Sequence, residues 1–344
     1  MPTADHDAWL QALPKAELHL HDEGSLEPEM MLALAERNRL PLPYPDVEAA
    51  RRAYRFGDLQ SFLDVYYAGA AVLLTEQDFH DLCWAYLVRA RADGVRHAEL
   101  FFDPQTHTAR GLAPEVAVRG LTSALRRGEQ VLGVTWRLIP CFLRHLPEAE
   151  HLATFEALRP FLGEFAAFGL DSSERGFPPE LFREVFARVR AAGLKVVAHA
   201  GEEGPPAYVT GALDLLGAVR IDHGVRSEED PALLARLRDG RVPLTVCPLS
   251  NLRLKVVPTL ASHPLPAMLE AGLACCLNSD DPAYFGGYLN QNYLATFAAL
   301  PQLGPREAWR LAANAFEASF APEARKQAWR EALDACFAAA AAAG

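Results

Sequence analysis

What the sequence lacks narrows its function before any motif does. Its six cysteines (Cys83, Cys141, Cys247, Cys275, Cys276 and Cys336) form no CxxC pair and mostly sit in apolar runs. That excludes a secreted disulfide framework and suits buried free thiols. No run reaches ~18 strongly apolar residues, so no membrane span is expected. The opening segment, MPTADHDAWLQALPKAELHLH, has no basic start followed by a long apolar stretch. No signal peptide is expected, and the cytoplasm is the default address. Basic residues are in deficit, 33 Lys and Arg against 44 Asp and Glu, for a formal charge of −11. An acidic surface repels phosphate backbones, which argues against nucleic acid as a partner.

Gly/Ser-rich linkers and internal repeats are also missing, so nothing divides the 344 residues into separate domains. One unit of this length, half of it hydrophobic, holds an ample core and fits the size of an α/β barrel.

What is present alternates. Apolar β-rich runs are predicted at 17–21, 95–102, 135–142, 165–171, 195–200, 220–224, 244–248 and 275–280. Several are apolar on successive positions, as strands buried on both faces of a parallel sheet are. Helical patterns lie between them: Pro28 suits a first helical position, and Pro179 precedes Leu181, Phe182, Val185 and Phe186 on one side. The alternation predicts a single (β/α)₈ TIM-like barrel, with a doubly wound open sheet as the alternative. A helical insert at about 25–94 follows the first strand, and C-terminal helices start near 290, ending in an alanine-rich run. The insert contains FGDLQSFLDVYY, which either packs on the barrel exterior or forms a lid with Leu59 and Phe62 over a ligand.

In such barrels chemistry gathers at the C-terminal ends of the strands. Strand one closes with His19-Leu20-His21. Residues two apart on a strand point to the same side, ~6.7 Å apart along the chain, so both imidazoles can converge on one metal. Strand five ends in His199-Ala200-Gly201-Glu202, strand six in Asp222-His223-Gly224, and strand eight in Asn278-Ser279-Asp280-Asp281. Taken singly, each reads as a satisfied core histidine, a turn-forming aspartate or a helix cap. Together they are costly to bury unless they pair or bind a metal. Zn²⁺ suits mixed nitrogen and oxygen ligands and lowers the pKa of a bound water toward ~7. Other divalent ions fit the same donors.

The stretches PKAELHLHDEGSLEPE, FGDLQSFLDVYY, HAELFFDPQTHTARG, VVAHAGEEGPPAYV, RIDHGV, LTVCPLSNLRL and NSDDPAYFGGY span about 14–290. In this combination the sequence strongly resembles the adenosine/adenine deaminase family, nearest its adenine deaminases. The resemblance implies one Zn²⁺ per chain, held by His19, His21, His199 and Asp280. It implies Glu202 as proton donor to purine N1 and His223 as the residue that orients and deprotonates the metal water. Asp281 would bond N7. The implied partner is a small 6-aminopurine, converted to its 6-oxo form with release of ammonia, in purine salvage. Self-association into a homo-oligomer stays open.

Substrate choice rests on fewer residues. The loop after strand four, Leu170-Asp171-Ser172-Ser173-Glu174, resembles the adenine-specific subgroup, with Ser173 and Glu174 as candidate contacts. Glu174 would fill the ribose space and accept from N9–H, unless it is a solvated loop carboxylate. Glu23 stands where nucleoside-acting relatives carry an aspartate. Asp22 departs from the leucine or isoleucine usual in this motif, which keeps adenosine, N6-substituted adenines and 6-aminodeoxyfutalosine open as substrates. The HxE…PCxxC signature of zinc deaminases acting on nucleic-acid bases is absent. A catalytically silent purine-binding relative would be expected to lose a ligand or the acid, and all seven positions are intact here.

Overall fold

The computed structural model describes residues 3–343, with side chains described over 6–339. Eight strands appear in chain order: β1 (Lys15–His21), β2 (Val95–Phe102), β3 (Thr135–Leu143), β4 (Ala167–Asp171), β5 (Lys195–Ala200), β6 (Arg220–His223), β7 (Pro243–Val246) and β8 (Ala274–Leu277). Each pairs in parallel with the next. A bridge between Leu20 and Asp280 closes the ring, with Asp280 N–H donating to His19 O and His21 N–H to Asp280 O. Closure rules out the open doubly wound sheet.

Four strands are shorter than the sequence predicts: β6 stops at His223 and β7 at Val246, and β4 and β8 are each two residues shorter. β4 begins at Ala167, although Phe165 bridges to Leu138. β8 ends at Leu277, because Asn278 and Ser279 turn their side chains to satisfy β1. Asn278 Oδ1 accepts from Leu18 N–H at 2.7 Å and Ser279 Oγ donates to Glu17 at 2.5 Å.

The insert folds as four helices, Pro28–Asn38, Val47–Ala53, Leu59–Ala70 and Glu76–Ala92. Pro28 does occupy the first turn of its helix, and Pro179 opens a short 3₁₀ turn leading into the helix Arg183–Ala191. Helices Leu289–Ala299, Pro305–Ala318 and Glu323–Ala343 complete the chain, the last carrying the alanine run. Among the described residues no helix is long and apolar enough to cross a membrane. All six cysteines are free, and only Cys336 is not fully buried.

Phe101, Ile139, Cys141, Ala167 and Val197 fill the barrel interior, with Phe320 packed against them. Beside Phe320, Arg220 donates to Glu99 Oε2 at 2.5 Å and to Leu18 O at 3.0 Å. Glu99 also accepts from the Phe320 N–H and lies 3.2 Å from His97 Nε2. This paired charge ties β2, β6 and the C-terminal segment together where an unpaired ion would be prohibitive.

Candidate metal and catalytic site

The opposite mouth of the barrel gathers the strand-end residues. His19 Nε2 lies 3.1 Å and His21 Nε2 3.4 Å from Asp280 Oδ1. The Nε2 atoms of His21 and His199 are 3.2 Å apart. One ligand atom from each of His19, His21, His199 and Asp280 lies within 4.8 Å of every other. Burial pulls His21 down to about 4 and His199 well below the usual histidine range, so both rings are neutral and turn lone pairs toward one space. His19 Nε2 is buried without a hydrogen bond despite its nearness to Asp280. Three convergent imidazole nitrogens and a carboxylate oxygen form a donor set that fits a divalent cation.

The other nitrogen of each ring is fixed from outside. His19 Nδ1 meets Thr245 Oγ1 at 2.9 Å, and that hydroxyl donates to Asp222 at 2.8 Å. His199 Nδ1 meets Leu170 O at 3.1 Å, and His21 Nδ1 faces Asp171 Oδ2 at 3.5 Å. Such partners set the tautomer and aim Nε2 inward. Asp280 and His223 sit in the left-handed backbone region, at φ 64° and 65°, a strain that accumulates where geometry serves chemistry.

His223 Nε2 lies 3.7 Å from Asp280 Oδ2 and 3.6 Å from Glu202 Oε2. Burial lowers His223 to about 3, leaving a neutral base. Burial, reinforced by the charges of Asp280 and Glu174, pushes Glu202 well above the usual carboxylate range, which favours its protonated form. Asp281 lines the same pocket, with Oδ1 buried and unpartnered. Gly24 backs it so closely that a Cβ there would lie 2.1 Å from Asp281 Oδ1.

Leu59 and Phe62 also line the pocket. Asp58 caps their helix by accepting from Ser61 N–H at 2.9 Å, and Leu59, Phe62, Leu63 and Tyr66 form its buried face. These residues make a separate apolar cluster with Tyr54, Leu254, Tyr284 and Phe285. The stretch therefore covers the barrel mouth instead of packing on its outer wall.

Three predicted contacts lie elsewhere. Glu174 does not face the pocket: its carboxylate accepts from the backbone N–H groups of Gly201, Glu202, Glu203 and Gly204, at 2.7–3.0 Å. Nor is it a solvated loop group, being 1% exposed. Ser173 donates to Gln60 at the surface. Glu23 is buried behind the pocket, 2.7 Å from His107 Nε2, accepting from Asp103 N–H at 3.1 Å. Asp22 turns away as well, buried against Cys83, where burial and the neighbouring Glu23 raise its pKa well above the usual range.

Asp103, Asp171, Ser172, Tyr66 and Tyr67 line the pocket instead. Ser172, at φ 74°, meets Tyr67 Oη at 2.9 Å and His145 Nδ1 at 2.8 Å. Asp103 directly follows β2 and Asp171 ends β4, so the strand-end rule that found Asp280 would have found both.

Comparison with known proteins identifies the family. The family model described as adenosine deaminase matches residues 14–336. A relative named adenine deaminase from Geotalea uraniireducens is 58% identical, covering 98% of this chain and 95% of its own length. Another of that name, from Cupriavidus necator, is 60% identical over 92% of this chain and 90% of its own. The crystal structure of adenine deaminase from Arthrobacter aurescens superposes with TM-score 0.92 at 52% identity, covering 94% of this chain and 98% of that one. An amidohydrolase from Burkholderia ambifaria, solved with bound Zn, superposes with TM-score 0.90 at 29% identity, covering 100% and 95%. With nearly its whole length matched, the chain belongs to the adenosine deaminase family of hydrolytic deaminases.

Proposed function

We propose that this protein hydrolyses adenine to hypoxanthine and ammonia in the cytoplasm, as a step of purine salvage. In this reading one Zn²⁺ per chain is held by His19, His21, His199 and Asp280. The convergence of these four side chains beside His223 and a Glu202 whose burial favours its protonated form carries the reading. Relatives of 58–60% identity named adenine deaminase, and a Zn-bound neighbour, support it.

The bound metal supplies Lewis acidity that makes water a nucleophile near neutral pH. His223, neutral and facing Asp280, takes a proton from the attacking water. Glu202 donates its proton to N1 as electron density moves there from C6. Asp281 holds the ring at N7, and Leu59 and Phe62 cover it from solvent. When the amine departs, the two hydrogens of water have gone to ammonia and to Glu202, whose own proton now sits on N1.

Glu202→Gln tests the assignment. Loss of the general acid is expected to lower kcat by about 10²–10⁴-fold with the metal retained. Near-normal turnover in that variant contradicts it. Substrate choice is read from a panel of adenine, adenosine, N6-methyladenine and 6-aminodeoxyfutalosine, followed by ultraviolet difference. Adenine is expected to have the highest kcat/KM, and a preference for adenosine rejects the reading.

A further inference from the structure

Ser172 directly follows β4 and is held in the left-handed backbone region at φ 74°, which strains any residue but glycine. Two side chains from distant segments grip it. Tyr67 Oη, on the helix Leu59–Ala70 over the barrel mouth, lies 2.9 Å from Ser172 Oγ. His145 Nδ1, two residues past β3, lies 2.8 Å from the same oxygen. Ser172 and Tyr67 line the pocket.

The directions of these hydrogen bonds follow from the two ends of the chain. Burial lowers the pKa of His145, so its ring is neutral, with one nitrogen donating and one accepting. A neutral imidazole prefers its hydrogen on Nε2, which makes Nδ1 the acceptor. Ser172 O–H therefore donates to His145. Burial and the charges of Asp103 and Asp171 push the Tyr67 hydroxyl up, so it keeps its hydrogen and donates it to Ser172 Oγ. A serine hydroxyl has one hydrogen and two lone pairs. The hydrogen and one lone pair are spent, and the second lone pair is free to accept.

The pocket wall gives that lone pair a target. With purine C6 at the metal ligands, N1 toward Glu202 and N7 toward Asp281, the N3–N9 edge points away from the metal. Among the other polar groups of the wall, Asp103 and Asp171 hydrogen-bond each other, and Tyr66 Oη–H donates to Asp103. Ser172 and Tyr67 are left for the N3–N9 edge. That edge carries one donor, the N9–H of adenine's main tautomer, which a nucleoside replaces with a bond to its sugar.

Resting on the function proposed above, we infer that Ser172 Oγ, positioned by Tyr67 and His145, accepts the N9–H of the purine and so selects a free base over a nucleoside. A site built to accept an N–H penalises a ligand that lacks it, because the pocket oxygen is then left without a partner. The contact makes and breaks no covalent bond.

The test compares adenine with 9-oxaadenine, which keeps N1, N3, N7 and the amine but has a ring oxygen in place of N9–H. The kcat/KM for both is measured in the wild type, Ser172→Gly and His145→Leu, with metal content and thermal unfolding alongside. Glycine takes a left-handed φ freely, so Ser172→Gly removes the hydroxyl without straining the backbone. In that variant adenine is expected to lose about 10-fold, mostly through KM, while 9-oxaadenine loses little. His145→Leu frees the Ser172 hydrogen to turn toward the ring, so the preference for adenine over 9-oxaadenine should narrow by about 10-fold. Equal losses on the two purines, as from a hydroxyl that reads N3 or only supports the loop, overturn the assignment, and so does an unchanged rate on adenine. A wild type that converts neither purine contradicts the deaminase reading instead, so the two failures are distinguishable. If Ser172→Gly does not fold, the adenine to 9-oxaadenine ratio in His145→Leu decides.

Discussion

Glu174 Oε2 accepts the backbone N–H of Glu202 at 3.0 Å, so one acid shapes the loop that presents another. The same carboxylate gathers the N–H groups of Gly201, Glu203 and Gly204, at 2.7 Å each. No Cβ fits at Gly204, where it would lie 2.4 Å from Glu174 Oε1. Glu174 is thus a positioning residue for the proposed proton donor and has no free oxygen edge for a purine.

Replacing it should leave the choice between base and nucleoside untouched. Glu174→Gln turns an amide NH₂ onto converging backbone donors, at an expected cost of about 3 kcal/mol or more, from several buried N–H groups losing their acceptor. Urea unfolding should show that loss, and kcat on adenine should fall with it. Adenosine turnover should stay absent in Glu174→Ala. Its appearance would restore the ribose-blocking role that the sequence suggests.

Gly24→Ala probes Asp281 from behind. A Cβ 2.1 Å from Oδ1 and 2.7 Å from Cα forces Asp281 to move. The expected outcome is a fall of about 100-fold in kcat/KM for adenine, since misplacement by ~1 Å costs that much. Metal content, read by elemental analysis, should be unchanged. A variant with normal kcat/KM contradicts the N7 role of Asp281.

Acid should loosen the barrel through Glu99. Burial alone would raise its pKa, but Arg220 and His97 outweigh burial and hold it at about 2, against an ordinary 4.5. A carboxylate depressed in the folded state contributes stability above about 4.5 and loses it as pH falls toward about 2. The contribution is about 3 kcal/mol at neutral pH. Glu99→Gln strands Arg220 and should be clearly less stable than wild type at pH 7. The gap should narrow below pH 4.5 in urea unfolding measured at stepped pH. A gap that stays constant with pH contradicts the account.

The eight strands, the barrel and the cluster of His19, His21, His199 and Asp280 were legible because each leaves a local mark. Strands buried on both faces are continuously apolar, and an imidazole or carboxylate closing such a strand stands out against it. What the loops do was less legible. Whether Ser172 or Ser173 meets the pocket turns on one left-handed residue: Ser172 at φ 74° lines it, and its neighbour points to Gln60. No periodicity records that turn. Likewise nothing local tells that four N–H groups some thirty residues away will claim Glu174, or that Asp22 packs on Cys83 in the insert. Family motifs mark which positions matter, and only the folded chain shows what each carboxylate touches.

The central claim is that four side chains hold one divalent ion on which turnover depends. Elemental analysis of the purified chain, beside His199→Ala and Asp280→Ala, tests it most directly. About one zinc per wild-type chain is expected, with metal and adenine turnover lost together in both variants and on chelation of the wild type. A wild type that turns over adenine after its metal is stripped, or variants that keep a full equivalent, would contradict it.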